Sequence, residues 1–157
     1  MSDRTAIWLL PLLCALQAMS SPAAAAKVLP REVQANIDEA MKGCDEKITF
    51  KKGFLTRRDI NGDGQSDFIL DYGRFRCGDS VALYCGSAGC TTVVFASLAD
   101  SRFVKVLDSN VQGLSFSTEG GLATMKVRLH GSSCGKSGVE PCSSTTYWNG
   151  SNFGSAH

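Results

Sequence analysis

The chain has 157 residues, with 16 Lys plus Arg against 15 Asp plus Glu and a formal net charge of +1. A charge this close to balance gives no electrostatic basis for binding nucleic acid or an anionic membrane surface. Seven cysteines in so short a chain point to an oxidising compartment.

The N-terminus reads as an export signal. A short polar start with one basic residue, Arg4, precedes the apolar run of residues 6–19. That run has the length of a signal core and is too short for a membrane span. Ser20, Ser21 and Pro22 break it, and Ala23 to Ala26 supply the small residues of a cleavage site. We expect residues 1–26 to be a signal peptide cut after Ala26, with residues 27–157 forming a single domain. Cys14 is preceded by the large Leu13, which argues against lipid attachment. No later segment is long and apolar enough to span a bilayer. The destination would be the periplasm or the exterior.

Removal of Cys14 with the leader leaves Cys44, Cys77, Cys85, Cys90, Cys134 and Cys142. An even count in an exported chain reads as three disulfides, with fifteen possible connectivities. Zinc is disfavoured, because no Cys-x-x-Cys occurs and the only histidines are His130 and His157. Cys85 and Cys90 flank a flexible Gly-Ser-Ala-Gly, and Cys134 and Cys142 flank a turn with Gly and Pro. Those two local pairings would leave Cys44 for Cys77.

In chain order, the first element is a helix over residues 30–43. Val33, Ile37, Ala40, Met41 and Cys44 recur on one face, with Pro30 at the start and Gly43 at the end. Short β-prone runs follow at residues 47–50, 53–56, 68–72, 91–97, 103–107, 114–117, 123–130 and 145–148. Asn149-Gly150 is a hairpin signal, with Phe153 on the return strand. The expected fold is therefore α+β: an N-terminal amphipathic helix packed on an antiparallel β-meander, stapled by disulfides. Tyr147, Trp148 and Phe153 read mainly as aromatic seals of a small core.

Residues 59–67 carry the sharpest chemical signal. Asp59, Asn61, Asp63 and Asp67 place oxygen side chains at loop positions 1, 3, 5 and 9, with Gly64 at position 6 and the Gln65 carbonyl at position 7. Hard Ca²⁺ takes six to eight oxygens, and alternate residues of a tight loop can aim them at one centre. Position 12, a bidentate Glu in an EF-hand, is Leu70, and strand-forming residues follow in place of a helix. The pattern resembles the Asp-x-Asn-x-Asp-Gly-x-x-Asp loop of FG-GAP and VCBS-type repeats, which leads into a β-strand. That resemblance spans about 15 residues, 58–72, and implies Asp67 as the closing calcium ligand. Members of those repeat families multiply the loop to build a propeller; this chain has one copy. The later Trp148-Asn149-Gly150 hairpin resembles a loose class of exported bacterial proteins with a single such loop.

Other motifs carry less. Arg57, Arg58, Arg74 and Arg76 read as charge balance around the carboxylates. The Gly131 to Ser137 stretch misses the phosphate-loop spacing by one residue, and Ser87 misses the nucleophile-elbow pattern. These observations favour a non-enzymatic exported domain that binds a macromolecule or glycan, or serves the envelope as an accessory factor, with Ca²⁺ as a structural ion. The alternative is an inhibitor or immunity-type protein against an envelope-degrading hydrolase, using residues 131–144 as a plug.

Overall fold

The computed structural model describes residues 28–80, 83–138, 140 and 142–155. The expected signal peptide, residues 1–26 with Cys14, and His157 lie outside these residues. One helix, α1 (Arg31–Lys42), opens the described chain. The strands are β1 (Ile48–Phe50), β2 (Leu55–Arg58), β3 (Asp67–Asp71), β4 (Phe75–Cys77), β5 (Cys85–Gly86), β6 (Gly89–Ser97), β7 (Phe103–Val111), β8 (Gly113–Glu119), β9 (Leu122–Leu129), β10 (Cys142–Trp148) and β11 (Phe153–Gly154). Short 3₁₀ turns occupy Tyr72–Arg74 and Gly131–Cys134.

The strands form three antiparallel sheets. β8, β9, β10 and β11 are an up-and-down meander, as expected. The central sheet departs from that expectation: β3 pairs with β6 and skips the two strands between them. β2 lies outside β3, while β5 and β7 both pair with β6. β1 and β4 form a separate two-stranded ribbon. β4 and β5, at three and two residues, are too short for alternation to announce them.

Side-chain alternation along the central sheet builds two cores. Phe68, Leu70, Val93 and Phe95 face the helix and pack with Val33 and Ile37. Ile69 and Val94, one residue out of phase, face the meander sheet and pack with Met125, Val127 and Phe153. The layers run helix, central sheet, meander sheet. β3 and β6 therefore need apolar residues on both faces, which is why residues 92–97 are buried without interruption. The clean alternation expected for residues 103–107 is broken by a bulge. Val94 pairs with Leu107 and Phe95 with Lys105, so Val106 is the extra residue. Val106 and Leu107 both reach the second core as a result.

All six expected cysteines are bridged, as Cys44–Cys77, Cys85–Cys90 and Cys134–Cys142. The first ties the end of α1 to β4; the second spans a directly paired position of the β5–β6 hairpin. Gly89 turns that hairpin with φ +102°, and a Cβ there would sit 2.1 Å from the Val111 carbonyl oxygen. Trp148 and Phe153 face each other across the β10–β11 hairpin, ring centroids 5.2 Å apart, and join the second core.

Candidate metal loop and its surroundings

The loop of residues 59–67 enters β3 at Asp67, whose side chain is 0% exposed. Its Asp and Asn side chains each cap backbone amides. Asp59 accepts hydrogen bonds from the backbone amides of Gly62 (2.7 Å) and Gly64 (2.9 Å). Asn61 Oδ1 accepts from the Asp63 amide at 3.1 Å, and Asp63 Oδ1 from the Gln65 amide at 2.7 Å. These are successive Asx turns, the local structure that Asp and Asn side chains favour. Gly62 and Gly64 have φ near +82° and +81°, a backbone region that glycine enters without steric cost.

Asp67 is the anchor. Its Oδ2 accepts from the Ile60 amide at 2.7 Å, which holds the loop's start against its end. Ile60 is buried in the second core, so the loop is pinned by an apolar side chain as well. Asp67 Oδ1 accepts from both the amide and the hydroxyl of Ser97, each at 2.7 Å. Three donors replace the hydration that this buried carboxylate loses. Ser97, at the end of β6, is not among the residues that the sequence marks as candidates. Nothing local in the sequence links it to a loop thirty residues earlier.

Ser97 Oγ also lies 2.8 Å from Asp63 Oδ2. One hydroxyl carries one proton, so Asp63 and Asp67 share a single donor there. Asn61 Nδ2 adds a 3.3 Å contact to Asp63 Oδ2 and donates to the Ser97 carbonyl at 2.9 Å. The Gln65 side chain is exposed, and its backbone amide is held by Asp63.

The donor chemistry of Asp59, Asn61, Asp63, Asp67 and the Gln65 carbonyl suits a hard divalent cation. The geometry is turned inward: among the described residues, no group of three or more Asp, Glu, His or Cys side chains converges on a common centre. Several lone pairs instead cap backbone amides.

The loop borders a shallow concavity of about 320 Å³, lined by Asn61, Asp63, Gln65, Ser97, Leu98 and Trp148. A larger open cleft of about 770 Å³ lies between the two main sheets, lined by Thr56, Arg58, Ile69, Asp71, Leu114 and Phe116 among others. The four flanking arginines have separate partners. Arg57 and Arg58 lie over the Phe68 and Phe116 rings, at 5.4 and 5.9 Å from their centroids. Arg74 pairs with Asp71, and Arg76 donates to the carbonyls of Gly73 and Phe75. His130 Nδ1 lies 2.8 Å from Ser132 Oγ, and no carboxylate forms an ion pair with its ring among the described residues. The chain matches no family model, no curated protein and no solved structure.

Proposed function

We propose that this protein is an exported, non-enzymatic binding domain whose acidic loop is stabilised by Ca²⁺ held through Asp59, Asn61, Asp63, Asp67 and the Gln65 carbonyl. One observation carries the reading: four oxygen side chains and two left-handed glycines are folded into one nine-residue loop at the mouth of a β-strand. The shared hydroxyl between Asp63 and Asp67 supports it, because a cation would relieve the repulsion that one proton leaves between two carboxylates. The inward turn of the side chains sets the expected strength. Ion binding must compete with the Asx turns, so affinity falls in the weak range of extracellular modules, about 0.1–1 mM. Such an ion stabilises rather than signals.

Three disulfides support an oxidising, extracytoplasmic location. No helix among the described residues is long and apolar enough to cross a membrane. The partner would be a macromolecule or glycan of the envelope.

Thermal melts in EGTA and in millimolar CaCl₂ test the calcium reading. The midpoint should rise by several degrees with calcium, and Asp63→Ala should erase the difference. Identical melts for the native protein would remove calcium from the proposal.

A second reading rests on a different observation. Residues 132–138 are all exposed and are braced by Cys134–Cys142 and a 3₁₀ turn. A rigid protruding loop of small residues suits an inhibitor that plugs a hydrolase cleft. Unchanged activity of peptidoglycan hydrolases in its presence would count against this role.

A further inference from the structure

The concavity beside the acidic loop brings together two motifs more than eighty residues apart in the chain. Its lining combines polar Asn61, Asp63, Gln65 and Ser97 with apolar Leu98, Ala99 and Trp148, next to Gly150. Trp148 is half-buried, and its ring rests on Phe153, which fixes its orientation. At about 320 Å³ the space lies at the small end of ligand clefts.

We propose that this concavity is a glycan subsite that takes one neutral hexopyranose unit, with the remainder of the glycan running out into solvent. The inference deepens the binding-domain reading above and rests on it. A pyranose ring has an apolar C–H face and a rim of hydroxyls, and it needs an aromatic wall opposite hydrogen-bonding groups. Trp148 is the one aromatic residue of the lining and supplies that surface. Asp63 supplies the strong acceptor, because charge-assisted hydrogen bonds from hydroxyls to carboxylates are short and strong. Asp63 Oδ2 faces Ser97 Oγ and Asn61 Nδ2, which holds the carboxylate in place, while Oδ1 accepts from the Gln65 amide and keeps a further lone pair. The exposed Gln65 amide can both donate and accept.

The same walls select against other small ligands. A purely apolar molecule would cover Asp63 and strip the water from the lone pair that its loop partners leave open. An acidic sugar would meet like charge. The shallow shape and single aromatic contact place the affinity in the millimolar range.

The test is a titration of the exported protein, isotope-labelled for NMR, with cellotriose, maltotriose and chitotriose at up to tens of millimolar. Each is run in calcium and in EGTA. At least one sugar should move the Trp148 indole resonance together with the amides of residues 61–65. Ala99→Phe fills the rim from an exposed position and should weaken binding about tenfold. Gln65→Ala should weaken it several-fold, and Arg128→Ala, away from the concavity, should leave it unchanged. Failure of all three sugars to shift Trp148, or binding that Ala99→Phe leaves intact, would overturn the subsite. The calcium-dependent melt is read separately in the same Ala99→Phe variant, so loss of sugar binding and loss of the calcium reading are told apart.

Discussion

Asp67 and Ser97 lock the acidic loop to the central sheet: one carboxylate oxygen of Asp67 accepts both the backbone amide and the hydroxyl of Ser97, each at 2.7 Å. Both residues are fully buried. Every other hydrogen bond of the loop is local or runs through these two residues and Asn61. The pair therefore decides whether residues 59–67 hold one shape.

Replacing the pair should be costly and non-additive. Asp67→Ala removes a buried carboxylate that takes three donors and leaves the Ile60 and Ser97 amides unsatisfied, so we expect a loss of about 3–5 kcal/mol. Ser97→Ala keeps the amide bond and loses only the hydroxyl, at about 1.5 kcal/mol. Urea unfolding of both single variants and the double variant checks this. Strict additivity would mean that the residues do not act as a unit.

The turn chemistry makes a prediction independent of any metal. Asp59→Ala frees the amides of Gly62 and Gly64 and should cost about 1 kcal/mol in EGTA. Gly64→Ala places a Cβ at φ +81° and should cost about 1–2 kcal/mol. Nothing lies within 4 Å of that Cβ, so the penalty is conformational rather than steric crowding. Hydrogen exchange of residues 60–67 should quicken in both variants while the helix is unaffected.

The three disulfides differ in the chain they close. Cys44–Cys77 spans 33 residues, Cys134–Cys142 spans 8 and Cys85–Cys90 spans 5. On loop entropy alone, a Cys→Ala pair should cost roughly 4 kcal/mol for the first and roughly 2–3 kcal/mol for the others. Melting of the three double variants ranks them. Loss of the short Cys85–Cys90 link as the most damaging would show that loop entropy is not the controlling factor.

Alkaline pH should weaken the first core. Burial pushes the Tyr72 phenol above its ordinary value, with Tyr84 and Asp108 adding to the rise. Its hydroxyl donates to Asn36 Oδ1 at 2.8 Å, an arrangement that needs the protonated form. The folded state then holds this proton more tightly than the unfolded chain does. The stability is present in full below the unfolded value near pH 10 and declines as pH rises above it toward the raised folded value. Tyr84 is shifted the same way by burial. Urea midpoints at about pH 9 and about pH 11 should differ in the native protein, and Tyr72→Phe should reduce that difference without abolishing it.

Local chemistry is legible in the amino-acid sequence. The 3.6-residue spacing of Val33 and Ile37 and the Pro30 and Gly43 ends give α1 to within a residue or two. Glycine and paired aromatics announce the Trp148–Phe153 hairpin, and short cysteine spacings suggest two of the three bridges. The Asx-turn letters of residues 59–67 specify their own hydrogen bonds, because each joins residues two to five apart. Only the tertiary structure decided that β3 pairs with β6, that Ser97 caps Asp67, and that Trp148 stands beside Asp63 and Gln65. A local turn is fixed by the few residues that make it. Strand order is fixed by which apolar faces bury each other most completely, and β3 and β6, apolar on both faces, could have been placed beside several strands until the helix and the meander sheet claimed one face each.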